Sequence, residues 1–313
     1  PCTCRSSTWH RSSKRLTEKV FIEQLSHFPV LWGPSLFILG LLVGSFLNVV
    51  ILRLPRALEH EWKTQCEDLL SGDSGETESE DGHEEQSRPP GLVFPASHCP
   101  KCKAELRWWQ NIPVLSYLLL RGKCHACEQP ISLRYPAIEL LTATLTLLAG
   151  FIFPDLYTLP WILLAVWLLI AMSVIDFDTQ LLPDNLTLPL MWLGLIYSTL
   201  PASPVSPVDA ILGAAAGYMV LWSIFHVHHF ITKRQGMGYG DFKLLAAAGA
   251  WLGWQKLPFV LLIAAATGLV ITLAMILFRD HDKRQAVPFG PYLAIAFIIA
   301  LFWGDRLLQV YLS

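Results

Sequence analysis

The sequence predicts an all-α polytopic membrane protein, with about eight transmembrane helices and a small cytoplasmic zinc-binding module between the first and second. Three observations predict it. The 313 residues are 53% hydrophobic and only 15% charged, with a mean hydropathy of +0.44, whereas soluble domains carry about 25% charged residues. Apolar runs long enough to cross a bilayer, which takes about 20 residues, recur along the chain. The one large polar segment, residues 53–135, holds four cysteines in two C-x-x-C pairs. A net charge of −2 argues against a nucleic-acid binder, which shows a basic patch or stripe.

Residues 1–30 form a tail that carries Arg5, Arg11, Lys14, Arg15 and Lys19. The apolar run at 31–52 follows. It is too long for a secretory signal, and it ends in Arg53-Leu54-Pro55-Arg56 with no small-residue cleavage site. It therefore reads as a first transmembrane helix, with Gly40 and Gly44 spaced for close helix packing. Residues 1–15 begin with Pro and put basic residues on the outer face. They read as upstream translated sequence, with a native start expected near Leu16.

The polar segment 53–135 has two parts. The acidic run from Ser71 to Glu85 cannot bury a core and is expected to be disordered. The later part, with Trp108, Trp109 and Tyr117, is expected to fold around a metal held by Cys99, Cys102, Cys124 and Cys127. Two C-x-x-C pairs about 20 residues apart are the spacing of a metal site. Four thiolates suit tetrahedral zinc in a closed, structural role. His98 and His125 are expected to be bystanders.

Residues 136–313 read as a seven-helix bundle, with spans near 137–153, 159–175, 186–200, 208–229, 242–255, 257–278 and 289–304. The run at 242–255 is short and rich in small residues (Ala246, Ala247, Ala248, Gly249, Ala250), so it is expected to pack inside the bundle. If the spans alternate, Arg53, Arg56, Lys233, Arg234, Arg279, Lys283 and Arg284 share one face, which makes that face cytoplasmic. Lys256 is an isolated exception.

Two polar clusters interrupt the apolar bundle on that face. One is Ile175-Asp176-Phe177-Asp178-Thr179-Gln180-Leu181-Leu182-Pro183-Asp184; the other is Gly236-Met237-Gly238-Tyr239-Gly240-Asp241-Phe242-Lys243. Carboxylates at a membrane boundary are costly and tend to be functional. Asp178 and Asp184 read equally well as caps, since helix starts favour Asp. Asp176 and Asp241 read as a catalytic pair. Two close carboxylates share a proton, so one activates water while the other donates to a carbonyl. Glycines before Asp241 leave backbone open to an extended peptide. Gly238, Gly240, Asp184 and Lys243 are the expected supports. His226, His228 and His229 read as a helix end without a metal role.

Gly238-Tyr239-Gly240-Asp241 matches the G-x-G-D motif of the intramembrane-type aspartyl proteases. The wider set resembles the bacterial prepilin peptidases: Gly44-Ser-Phe-Leu-Asn-Val-Val, Arg53-Leu-Pro, the cysteine pairs, Arg134-Tyr-Pro with Glu139, Ile175-Asp176, Leu182-Pro183-Asp184, Gly-Met-Gly-Tyr-Gly-Asp-Phe-Lys and Pro288-Phe-Gly-Pro-Tyr-Leu-Ala. It spans the chain from about Leu31 to the end. The resemblance implies that Asp176 and Asp241 are the catalytic aspartates and that the cysteine quartet is part of the family pattern. It implies an inner-membrane enzyme that cuts the basic leader from type IV prepilins and type II secretion pseudopilins. It also implies N-methylation of the new amino terminus with S-adenosylmethionine. No glycine-rich nucleotide fingerprint follows a strand. The methyl-donor site is therefore expected only in the cytoplasmic region around Arg53, Lys123 and the zinc module. An ion- or proton-coupled transporter using the same aspartates, or a membrane scaffold built on the zinc module, are the alternatives. Acids at one face instead of the midplane weigh against the transporter.

Overall fold

The computed structural model describes residues 29–71, 91, 98–99, 101–102, 104–105, 111–233, 238–278 and 288–312. The readings of residues 1–15, of the acidic insert and of Trp108 and Trp109 fall outside the described residues. The helices are α1 (Pro29–Ser71), α2 (Leu115–Leu119), α3 (Arg134–Ile152), α4 (Leu159–Thr179), α5 (Asp184–Ser198), α6 (Pro207–Thr232), α7 (Tyr239–Leu252), α8 (Leu257–Phe278) and α9 (Gly290–Leu312), with a 3-10 turn at Trp254–Lys256. Among the described residues there are only two isolated bridges of β type, both in the cysteine module.

Each predicted span meets one helix, and local chemistry sets the limits. Pro160 stands in the first turn of α4, where its missing N–H costs nothing. Ser206 caps α6 by accepting from the backbone N–H of Asp209 at 3.1 Å. Both helices end on a left-handed residue, Gln180 after α4 and Lys233 after α6. α1 runs well past its apolar part, to Ser71. The extension is built from good helix formers such as Ala57, Leu58, Glu59, Glu61 and Lys63.

Among the described residues, six helices are long and apolar enough to cross a bilayer. α5 and α7, with 15 and 14 residues, rise only roughly 22 Å at about 1.5 Å per residue, short of the ~30 Å hydrocarbon core. The rest of the bundle covers α7, whereas α5 keeps Leu188, Trp192 and Ile196 exposed. From Asp241 to Leu252 every residue of α7 except Lys243 is buried, against α5, α6 and α9. Small residues make this possible. A Cβ on Gly249 would stand 2.0 Å from the carbonyl oxygen of Gly213, and one on Gly217 would stand 2.5 Å from that of Leu245. α6 and α7 thus touch backbone to backbone, the packing that drives helix association in lipid. α1 and α3 meet the same way. Cβ atoms on Gly40 and Gly44 would lie 2.5 and 2.7 Å from the Cα atoms of Ala143 and Glu139.

Lys256, the exception to the charge pattern, is buried. Its Nζ lies 2.5 Å from Oδ1 of Asp305 on α9. It is therefore a paired charge rather than a free loop charge, with the Asp305 side chain itself exposed.

Candidate active site

The site sits where α4 ends and where α7 and α9 begin. Asp176 is in the last turn of α4, and its carbonyl accepts from the N–H of Gln180 at 2.9 Å as the helix closes. The chain then turns through Leu181-Leu182-Pro183 into α5. Asp241 lies in the first turn of α7, with its N–H 3.3 Å from the carbonyl oxygen of Gly238. Both carboxylate residues are buried, at 5% and 7% exposure.

A third element completes the site, and sequence reasoning gave it no role. The N–H of Gly290, the first residue of α9, donates to Oδ2 of Asp176 at 3.0 Å. The first amides of a helix have no partner within it, and here one of them serves the carboxylate. A Cβ on Gly290 would meet Asp176 Oδ2 at 2.6 Å and Leu182 Cδ1 at 3.2 Å. Leu182 also fills the space beside Gly240, where a Cβ would come within 2.6 Å of its own Cβ. One leucine therefore packs against the glycine beside Asp241 and the glycine that holds Asp176. Gly238 is different: among the described residues a Cβ there meets nothing nearer than 4.0 Å.

The other two acids are each taken by a cation. Asp184 does not cap α5. Pro183 holds the cap position, and Asp184 in the first turn pairs with Lys243 Nζ at 2.6 and 2.7 Å, tying α5 to α7. Asp178 does not stand at a helix start either. It lies in the last turn of α4 and pairs with Arg134, with Nη1 2.9 Å from Oδ1, joining α4 to the start of α3. His226 hydrogen-bonds the carbonyl of Trp222 at 2.9 Å, and His229 stacks on Phe225. Among the described residues neither belongs to a group with metal-ligand geometry.

The four cysteines of the polar segment do converge. Their sulfurs all lie within 4.8 Å of one another, with Cys99 to Cys127 at 3.9 Å and Cys102 to Cys124 at 4.0 Å. A tetrahedron with ~2.3 Å metal–sulfur bonds has edges of roughly 3.8 Å, so the quartet fits zinc with little adjustment. Each knuckle is a tight turn closed by backbone bonds, Cys99 N–H to Ala104 at 3.0 Å and Cys124 N–H to Gln129 at 2.9 Å. The backbone N–H groups of Cys102 and Lys101 draw the Cys99 thiol down to about 6, so it is a thiolate at neutral pH. Gln129 N–H acts to lower Cys127, but burial and the three neighbouring sulfurs outweigh it and lift that thiol to about 11.

Between the cysteine module, α1 and the start of α3 lies a cavity of about 860 Å³, lined among others by Ser45, Asn48, Arg53, Tyr117, Tyr135 and Glu139.

Two family models match the chain. The bacterial peptidase A24 N-terminal domain covers residues 38–153, and the type IV leader peptidase family covers residues 163–273. The relatives include a prepilin leader peptidase/N-methyltransferase of Aeromonas hydrophila, 48% identical, and one of Aeromonas salmonicida, 46% identical. The protein of that name in Pseudomonas aeruginosa is 44% identical. Each alignment covers 93% of this chain and 97% of the relative. No solved structure matches the chain. Helices long and apolar enough to cross a bilayer, shared with relatives along nearly the whole chain, define a multi-pass membrane protein. The chain belongs to the type IV leader peptidase family.

Proposed function

We propose that this protein cleaves the basic leader from type IV prepilins and related pseudopilins, with Asp176 and Asp241 as its catalytic pair, and then N-methylates the new amino terminus. Its relatives carry both activities in their names, prepilin leader peptidase and N-methyltransferase. The observation that carries the catalytic assignment is that Asp176 and Asp241 lie buried at one end of the bundle, with Leu182 packed against both the glycine beside Asp241 and the glycine that holds Asp176.

Two buried carboxylates that act on one peptide bond cannot both ionise at little cost, so one proton is shared between them. The ionised carboxylate takes a proton from water as the oxygen attacks the scissile carbonyl carbon. The protonated carboxyl donates to the carbonyl oxygen, and collapse of the tetrahedral species returns that proton to the leaving amine. Gly290 N–H fixes the direction of the Asp176 carboxylate. The side-chain-free backbone at Gly238 lets an extended peptide approach beside Asp241.

The charge pattern supports an inner-membrane location with this end of the bundle facing the cytoplasm. A prepilin presents its scissile bond there, between a cytoplasmic leader and an apolar helix in lipid. The cysteine quartet is assigned to zinc, which would brace the module against α3. Methylation takes its methyl group from S-adenosylmethionine. The transporter alternative draws no support from the family membership. The decisive experiment incubates the purified protein in detergent with a prepilin and follows leader loss by mass. Loss by the native protein but not by Asp176→Asn or Asp241→Asn supports the reading; unimpaired loss by either variant overturns it.

A further inference from the structure

We infer that the cavity between α1, the start of α3 and the cysteine module is the methyl-transfer site, and that Glu139 is the residue that selects the cationic sulfonium of the donor. The inference rests on the methyltransferase half of the proposed function.

The cavity is separate from the aspartate pair. None of Asp176, Leu182, Asp241 and Gly290 lines it. Its volume of about 860 Å³ lies within the ~300–1,000 Å³ of small-molecule sites. It therefore has room for an adenosyl donor together with a peptide amino terminus.

Its lining is sorted by chemistry. Glu139 is a carboxylate at 8% exposure on a helix that spans the membrane. Ionisable groups in such places are rare and mark function. Among the described residues no lysine or arginine pairs with it. Its held contacts are neutral donors, the N–H of Val114 at 2.8 Å and the hydroxyl of Ser45. These fix its orientation without neutralising its charge, so the carboxylate is set to receive a cation from the cavity. Asn48, also buried, is held by its Nδ2 donating to the carbonyl of Tyr135 at 3.2 Å. Tyr117 and Tyr135 supply aromatic surface for a purine ring. Arg53, whose Nη1 donates to the carbonyl of Gly91 at 2.7 Å, also lines it and supplies the cation that an amino-acid carboxylate would need.

This arrangement suits the balance of the transfer. When bound, S-adenosylmethionine supplies an electrophilic methyl group on a positively charged sulfur. The lone pair of the neutral peptide amine forms the N–CH₃ bond. The C–S bond pair stays on sulfur, which becomes a neutral thioether, and the extra proton on nitrogen leaves to water. The ligand thus loses its positive charge at sulfur as the reaction proceeds. A carboxylate such as Glu139 holds the donor more tightly than the spent thioether, which favours product release.

The test compares binding of S-adenosylmethionine and of S-adenosylhomocysteine to the full-length protein in detergent by titration calorimetry. Glu139→Gln keeps an acceptor for Val114 N–H but removes the charge. It is expected to weaken the sulfonium ligand about tenfold, or about 1.4 kcal/mol, and the thioether less than twofold. Val49→Trp, which fills the cavity from α1, is expected to abolish binding of both. Equal losses for the two ligands in Glu139→Gln, or unchanged binding in Val49→Trp with its thermal midpoint retained, overturn the inference. Methylation by the native protein with unaltered binding in both variants would place the donor elsewhere and leave the proposed function standing. A native protein that binds neither ligand and never methylates a cleaved pilin would instead remove the methyltransferase reading itself.

Discussion

The backbone N–H of Gly290 donates to Oδ2 of Asp176 at 3.0 Å, across 114 residues of sequence. That bond ties the last turn of α4 to the first turn of α9. It leaves no space for a side chain on the glycine, because a Cβ would stand 2.6 Å from the carboxylate oxygen. Gly290→Ala is therefore expected to turn the Asp176 carboxylate away from Asp241. A misplacement of about 1 Å can cost on the order of 100-fold in rate. Leader cleavage should fall at least about tenfold while the amount of protein in the membrane stays level. An immunoblot beside the cleavage assay checks both, and a fully active Gly290→Ala protein would show that this contact does not position the carboxylate.

Asp176→Asn and Asp241→Asn keep the size of the side chains and remove the shared proton. Each is expected to abolish cleavage, and the double variant to be no worse than either single one, since residues that act as a unit are not additive. Rates measured on all three at matched membrane levels decide it. A double variant much slower than both single ones would mean that the two carboxylates act separately.

The sequence made the aspartate pair legible because its signals are local. An acid beside glycines at the edge of an apolar run is visible without knowing the fold, as Gly240-Asp241 was. Helix positions were equally plain, since apolarity sets them. Gly290 was not legible, because its role is a contact with a residue on another helix. Its only local sign was Pro288-Phe289-Gly290-Pro291, a turn and helix start. Asp178 and Asp184 were read as possible caps because Asp is common there, whereas the structure gives them to Arg134 and Lys243. Partners of that kind depend on how helices stack, and spacing along the chain does not encode it. Lys256 stands outside the charge pattern for the same reason, being paired with Asp305 on another helix.

The Asp184–Lys243 pair is partly open to solvent, with side chains 53% and 30% exposed. Pairs of that kind contribute roughly 0.2–1 kcal/mol. Asp184→Asn and Lys243→Gln are therefore expected to lower cleavage by no more than about fivefold each, through the packing of α5 on α7. Together they should do little more than either alone. A double-mutant cycle on cleavage rates measures the coupling, and an Asp184→Asn protein as inactive as Asp176→Asn would move a catalytic role to Asp184.

Cysteine to serine at position 99, 102, 124 or 127 removes one of four converging sulfurs. If the quartet holds zinc, any single change is expected to cut metal content sharply and to expose the segment around residues 98–133 to protease, because structural zinc supplies folding energy. Elemental analysis of protein purified under reducing conditions gives the first readout and limited proteolysis the second. Cys66, which is exposed and outside the cluster, is the control, and Cys66→Ser should retain the metal. Metal-free native protein with an intact module would refute the assignment.

The packing of α6 on α7 should be as exacting as the chemistry. A Cβ on Gly249 would lie 2.0 Å from the carbonyl oxygen of Gly213 and 2.2 Å from its carbonyl carbon. Backbone atoms have no rotamer by which to give way, so Gly249→Ala must push the helices apart. α7 carries Asp241 in its first turn and is packed on α5, α6 and α9, so the displacement reaches the site. Gly249→Ala is expected to lower the thermal midpoint in detergent and to reduce cleavage together, although it lies on the helix two turns beyond Asp241. Overpacking of this kind typically costs about 1–3 kcal/mol. Gly33→Ala is the matched control. Its Cβ would meet only Leu147 Cδ1 at 3.7 Å, an ordinary contact, so both readouts should stay at the native level. Equal behaviour of the two alanine variants would mean that the glycine contact between α6 and α7 is not what seats the catalytic helix.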